Sequence, residues 1–226
     1  MQTNKPRLKA VESLVPKGAR LLDIGADHGL LPLRLLARGD IYSAYLTDVN
    51  KGPLAACRHR ALVDFPHLMD YIGFAISDGF KEVDPRFYDF VTICGMGGEL
   101  IARIIEEGGE KAHRSMALQP MSHAEKLRAF LWTHGFTIKE ELYPREGHRS
   151  YVVMLVKYTG RGTRFTATDT YLGKKRPKTE EYWFYVKGLA KTVKKRLEGE
   201  TLAGNKRNAN TLKRVLTAIE SLGYLE

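Results

Sequence analysis

Cysteine is nearly absent from this 226-residue chain, and the two present, Cys57 and Cys94, have no metal-binding or disulfide spacing. Two reduced thiols and no metal site are expected. No apolar run approaches the roughly 20 residues of a membrane span. The amino-terminal stretch MQTNKPRLKAVESLV lacks the apolar core and cleavage site of a secretory signal. A cytoplasmic chain without a membrane partner is the expectation. Acidic residues are scarce in one region only. Residues 1–156 hold 20 Lys+Arg against 19 Asp+Glu, whereas residues 157–226 hold 16 against 7. The net charge of +10 therefore sits almost wholly in the last third. Such a basic module suits a polyanion, and no lipid-facing stripe accompanies it, which favours nucleic acid over membrane.

What is present is an alternation. Apolar runs at 19–25, 43–49, 71–77, 89–95 and 115–120 read as strands, and the stretches 30–38, 52–64, 98–107 and 123–134 between them as helices. Continuous apolar strands separated by helices predict an α/β fold, a parallel sheet covered on both faces. TIKEELY (137–143) and SYVVMLVKY (150–158) flank the short loop PREGHR and predict an antiparallel hairpin at one sheet edge. Residues 159–177 have no clear period and read as a linker. Beyond it, Tyr182, Tyr185, Val186, Leu189, Val193 and Leu197 share one face of a helix of about 18–20 residues, roughly 27–30 Å long. Leu212, Val215, Leu216, Ile219 and Leu222 share a face of a second, with GNKRN (204–208) as the turn. The division expected is a domain of residues 1–160 followed by a basic linker and helical hairpin, 161–226.

The first strand runs into LLDIGADHGLLP. Gly25 and Gly29 permit a tight strand-to-helix turn and close approach of a ligand to backbone. A pyrophosphate loop would read GxGxxG or GxxxxGK[ST]. Here Asp27 stands where a further glycine would be needed, and a carboxylate repels a diphosphate. NAD, FAD and ATP are disfavoured on that ground. S-adenosylmethionine (AdoMet) carries an ammonium, a sulfonium and a ribose but no phosphate, so acids beside the loop suit it. The later strand ends extend the pattern. Asp48 can accept the ribose hydroxyls with Val49 flanking the adenine, and Asp78, followed by Gly79, can accept the adenine amine. Cys94-Gly95-Met96-Gly97-Gly98 makes a floor of exposed backbone.

LLDIGADHGLLP, TDVNKGPL, SDGF, ICGMGGELI and LQPMSHA together resemble the bacterial tRNA (adenine-N1)-methyltransferases that modify adenine 22 in the D-arm. The resemblance covers nearly the whole chain. It implies a class I methyltransferase domain, a Rossmann-like seven-stranded sheet, followed by a coiled-coil-like helical hairpin, with AdoMet as cofactor and tRNA as partner. The family's cofactor positions match Asp23, Gly25, Asp27, His28, Asp48, Asp78, Gly95 and Met96, and Gly29 belongs to the same loop. Two positions depart from the family: its usual QPN is Gln119-Pro120-Met121 here, and a tyrosine two residues past the DH pair is Leu30. His123 is retained.

Adenine N1 carries an in-plane lone pair and needs no strong base, so alignment rather than proton transfer is expected to govern the reaction. Asp27 and His28 at the cofactor mouth, Met96 in the fourth loop, and Gln119 and His123 after the fifth strand are the target-pocket candidates. Arg145, His148 and Arg149 in the hairpin loop are RNA-binding candidates. So are Lys174, Lys175 and Arg176 in the linker, and Lys187, Lys191, Lys194 and Lys195 on the first long helix. Two alternatives stand beside this reading: a methyltransferase acting on another RNA or site, and an RNA-binding protein with a vestigial cofactor domain. An N6-adenine or N4-cytosine enzyme would show [DN]PP[YF] after the fourth strand, which ICGMGG does not match. The oligomeric state is left open, a monomer being sufficient.

Overall fold

The computed structural model describes residues 5–223, so Met1–Asn4 of the amino-terminal stretch and residues 224–226 of the basic region lie outside it. After helix α1 (Pro6–Leu14), strands β1 (Ala19–Ile24), β2 (Ile41–Asp48), β3 (Ile72–Ile76), β4 (Phe90–Gly97) and β5 (Ser115–Ser122) alternate with four helices. These are α2 (Leu30–Ala37), α3 (Lys51–Asp64), α4 (Gly98–Gly108) and α5 (Ala124–Thr133). Then come β6 (Phe136–Leu142), the two-residue strands β7 (Arg145–Glu146) and β8 (Arg149–Ser150), and β9 (Val153–Tyr158). The seven-stranded sheet has the order β3-β2-β1-β4-β5-β9-β6. Strands β1 to β5 pair in parallel, and β9 pairs antiparallel with both β5 and β6.

The sheet is Rossmann-like, and the apolar runs form it because both faces are covered. Leu22, Ile24, Val91, Ile93, Met116 and Leu118 belong to one buried cluster, while Leu21, Phe90, Ala117 and Val153 belong to the other. Neighbouring residues on a strand point to opposite faces, so both sets must be apolar. The expected terminal hairpin is present with one addition: its loop folds into β7 and β8.

Two features depart from the expectation. The amino-terminal segment is helical: Pro6 opens α1, and Val11 and Leu14 bury against the sheet. The segment 159–177 is not a featureless linker. It contains α6 (Ala167–Leu172), capped reciprocally by Thr166 and Asp169, with Thr170 and Leu172 buried. A short period hides such a helix, although the Thr-x-x-Asp capping spacing marks its start.

Helices α7 (Glu180–Leu202) and α8 (Lys206–Glu220) form the expected pair. Helix α7 has 23 residues, longer than its apolar stripe suggested, and Thr179 caps it by accepting from the Tyr182 N–H. Tyr182, Val186, Val193, Leu212, Val215 and Ile219 make the seam, and they share one core cluster with Leu127, Leu131, Tyr143 and Val152 of the α/β part. A boundary at residue 160 falls after β9, yet the core continues across it.

Arg128 on α5 ties this junction and has no exposed side-chain surface. Its Nε donates to Glu141 Oε1 at 2.7 Å, and its Nη1 donates to the carbonyls of Thr170 and Tyr171 at 2.7 and 3.0 Å. Breaking a buried pair leaves a charge without a partner, at a cost of about 3–5 kcal/mol. Arg128→Met is expected to lower the unfolding free energy by about that amount in denaturant titrations, and Arg128→Met/Glu141→Gln to recover much of the loss.

Candidate active site

The strand order reverses between β1 and β4, and the loops after these strands diverge to leave a crevice, the position where parallel α/β sheets take ligands. Backbone hydrogen bonds hold the strand tips in register. Gly25 and Ala26 N–H donate to the Thr47 carbonyl at 2.8 and 3.0 Å, and Ser77 N–H donates to the Asp48 carbonyl at 3.0 Å. Gly25 has φ 74°, and a Cβ there would stand 2.1 Å from Met96 Cε. The positive φ is what requires glycine in the first loop, and the tip of the Met96 side chain fills the space beside it.

A cavity of about 130 Å³ fills this crevice, lined among others by Asp23, Gly25, Asp27, His28, Cys94, Gly95 and Gln119. Asp23 is buried, and its carboxyl is bonded by Thr92 Oγ1 at 2.5 Å. Burial pushes the Asp23 pKa up to about 7, with the Thr92 hydrogen bond opposing the rise. Asp27 and His28 are exposed at the mouth, with Asp27 Oδ1 3.6 Å from His28 Nε2. Asp48 ends β2 and accepts from Asn50 N–H at 2.8 Å. Beyond it Val49 is exposed, as is Ile76, the register partner of Asp48 on β3. Two apolar side chains left open at neighbouring strand tips suit the faces of a purine. Ile76 was missed in the sequence because it reads as one more strand residue. Asp78 follows in a turn at Gly79 (φ 63°), and its carboxylate pairs with Lys81, which holds it below the usual carboxylate range.

Among the described residues only Asp27 (φ 49°) and His123 (φ 53°) are non-glycine residues in the left-handed region. Such backbone costs of order 1–3 kcal/mol and gathers at functional sites. The His123 backbone lies tight against the start of α4: a Cβ on Gly98 would meet the His123 carbonyl oxygen at 2.4 Å. Its Nδ1 lies 3.2 Å from Ser122 Oγ and 3.7 Å from Glu99 Oε2. Gln119 is differently placed. Its side chain is fully buried, Oε1 accepts from Gly95 N–H at 3.1 Å, and Nε2 donates to the Pro120 carbonyl at 3.0 Å. Each end of the amide bonds a loop, so Gln119 braces the Gly95 turn from the wall of the crevice.

A second, larger cleft of about 640 Å³ opens where the tip of β5 meets α7. Its walls include Met121, His123, His148, Arg149, Tyr151, Phe184, Lys187, Lys191 and Arg196. The basic candidates therefore separate into groups. His148, Arg149, Lys187 and Lys191 converge on the cleft. Arg145 is occupied beside it, its guanidinium 3.9 Å above the Phe184 ring. Lys194 and Lys195 are exposed on α7 outside the cleft. Lys174 and Lys175 instead line a small cavity with Trp132 and Lys139, and Arg176 pairs with Asp169 at 3.2 Å. Those three fasten α6 and the segment after it, a use that charge counting does not reveal. The sequence also missed Lys5, Arg7 and Leu8, which α1 brings to the cofactor crevice.

Residues 4–154 match the family model described as a methyltransferase domain. Over 169 residues the chain is 29% identical to the Bacillus subtilis tRNA (adenine(22)-N(1))-methyltransferase, covering 74% of this chain and 70% of that protein. A putative tRNA (m1A22) methyltransferase of Streptococcus pneumoniae, solved with S-adenosyl-L-methionine, is 30% identical with a TM-score of 0.80, over 96% of this chain and all of that one. The B. subtilis m1A22 tRNA methyltransferase structure, 24% identical over 96% of this chain and 97% of its own, shares the fold at a TM-score of 0.83.

Asp23 yields a pH signature. In the folded chain it keeps its proton to about pH 7, against 3.8 for its ordinary value. Between these values the fold holds a proton that the unfolded chain releases, so this group's contribution to stability falls as pH rises. Asp23→Asn is expected to flatten that fall between about pH 4 and 7 in the ligand-free protein. The same substitution should weaken AdoMet binding in calorimetry. A second substitution, Asp48→Ala, is expected to weaken AdoMet at least about tenfold while leaving the unfolding transition in place.

Proposed function

The chain belongs to the tRNA (adenine-22-N1)-methyltransferase family, and on that premise we propose that it moves the methyl group of AdoMet to N1 of adenine 22 of tRNA at the junction of its two cavities. One observation carries this reading. Gln119 lines the cofactor crevice, and the next residues, Pro120 and Met121, line the basic cleft. A donor pocket and a polyanion-binding surface thus meet across one strand tip.

The residues around the crevice suit AdoMet by the chemistry of their donors. Asp23 and Asp27 face a cationic amino-acid end, Asp48 a ribose, and Val49 and Ile76 a purine. When bound, AdoMet supplies a methyl carbon made electrophilic by its sulfonium. The protein's task is then alignment, with N1 held about 3–3.5 Å from that carbon and in line with the sulfur. Met96, packed against Gly25, sets the floor between the two partners. His123, with Asp27 and His28 across the mouth, forms the rim that receives the extruded base. Methylation leaves a cationic adenine, and carboxylates at the rim stabilise that developing charge. Extracting the base from the tRNA stem costs a few kcal/mol, roughly, offset by phosphate contacts.

The RNA side of the proposal rests on His148, Arg149, Lys187 and Lys191 around the cleft, with Lys194 and Lys195 extending the basic surface along α7. Residues 161–226 act as the docking part although they share a core with the rest. No helix among the described residues is long and apolar enough to cross a membrane, and no cluster of metal ligands is present among them. A cytoplasmic location completes the reading.

The test is nucleoside mass mapping of tRNA incubated with the protein and AdoMet. Conversion of adenine 22 to 1-methyladenosine is expected, and no methylation of a transcript with guanine at that position. The cleft has its own expected outcome: Lys187→Glu/Lys191→Glu should weaken tRNA binding and reduce the log–log salt slope by about 0.7–0.9 for each phosphate no longer engaged. AdoMet affinity should stay at the wild-type value in the same preparation. An unchanged salt slope would remove these lysines from the interface.

A further inference from the structure

The basic cleft borders another hollow of about 430 Å³, set between the first turn of α5, Tyr171 on α6, the carboxyl-terminal half of α7 and the start of α8. His123, Glu125 and Arg196 line both spaces. Arg196 Nη1 donates to Glu125 Oε1 at 2.7 Å, so one ion pair forms the sill between them.

The two spaces differ in charge. In the first, Arg149, Lys187, Lys191 and Arg196 stand against Glu125 alone. In the second, Lys126 and Arg196 are matched by Glu125 and Glu200. A phosphate there would meet two carboxylates, with no excess of cations to neutralise it. The walls offer hydrogen-bond acceptors instead. Glu200 Oε1 accepts from Asn208 Nδ2 at 3.2 Å, and Glu125 uses Oε1 for Arg196, so each carboxylate has a second oxygen to present to a donor. Tyr171 and Leu212 add apolar surface to the same hollow. Acceptors beside apolar surface suit a flat, uncharged group that carries N–H donors, and a splayed-out nucleobase is such a group.

We infer that this second hollow takes an unpaired base of the bound tRNA, close in sequence to the target adenine and presenting N–H groups to Glu200, a role that rests on the tRNA reading above. The shared sill supplies the route. Phosphates are held at Arg149, Lys187 and Lys191, and a strand leaving them past His123 and the Arg196–Glu125 pair carries a neighbouring base into a neutral, hydrogen-bonding space. Phosphate contacts position an RNA without reading it, whereas contacts to base edges select. Helices α7 and α8 thereby take part in choosing the tRNA as well as attracting it.

The experiment measures equilibrium binding by the full chain of tRNA transcripts that each lack one unpaired base near adenine 22. Wild-type protein is expected to bind one of these about tenfold more weakly than intact tRNA, the worth of a good base contact. Glu200→Ala should weaken intact tRNA by a similar factor and lose nothing further with that transcript. Glu200→Gln keeps one acceptor and should fall between. The log–log salt slope should stay at the wild-type value in both variants, because no phosphate contact is removed. If every base deletion weakens Glu200→Ala as much as wild type, the hollow reads no base and the inference is overturned. Tighter tRNA binding by Glu200→Ala with a steeper salt slope would make the hollow a phosphate site, which overturns it as well. These readouts need no methyl transfer, so intact tRNA that binds but stays unmethylated would instead sink the proposed reaction.

Discussion

A guanidinium with no exposed surface holds the two parts of this molecule together. Arg128 projects from α5 and meets Glu141 on β6, the carbonyls of Thr170 and Tyr171 on α6, and the Tyr185 hydroxyl on α7 at 3.5 Å. Four elements from both sides of residue 160 share one side chain. Burying an ion pair is costly, and the attraction does little more than offset the desolvation. What it secures is geometry, because Nε and Nη1 of Arg128 bond groups on β6, α6 and α7 at once. The basic cleft lies between α7 and the tip of β5, beside the elements this side chain joins.

From that fixed geometry follows a division of charge. The crevice at the strand reversal is acidic at Asp23 and Asp27 and suits the cationic end of a methyl donor. The adjoining cleft is basic at Arg149, Lys187 and Lys191 and suits a polyanion. Opposite fields at this range would neutralise one another on a flat surface. Here the β5 tip separates them, with the buried Gln119 amide bracing the Gly95 turn on one side and Met121 exposed on the other. The left-handed backbone at Asp27 and His123 belongs to the same economy of space, since each lies in the loop after a strand where a tight turn must also present a side chain.

Much of this was legible in the residues. The apolar runs named the parallel strands, because a strand buried on two faces cannot alternate. Asp27, the acid after β1, pointed away from a diphosphate for a reason of simple electrostatics. The apolar stripe from Tyr182 to Val193 identified the helical seam. Less legible were segments whose role is set by partners distant in sequence. Helix α1 offers nine residues with little amphipathic signal, and α6 offers six. Neither length supports a helix in isolation, so tertiary packing decides their existence. Gln119 shows the same limit at the level of one side chain: its hydrogen bond to the Gly95 N–H, across two strands, is not readable from its position in the sequence.

By itself the sequence determined the layers, the strand-end acids, the left-handed glycines of the first loop and the concentration of positive charge in the last third. Each of these follows from local chemistry, namely period, backbone freedom and charge. Only the tertiary structure decided which charges work together. Lys174, Lys175 and Arg176 bind their own chain, whereas His148 and Arg149 converge with Lys187 and Lys191, from a helix that follows much later. Arg7 likewise lines the crevice from α1 while its N–H bonds Glu146 and its guanidinium lies over Tyr151, both more than a hundred residues away in sequence. A charge has a local identity but no local partner, and its partner is chosen by the packing of the chain.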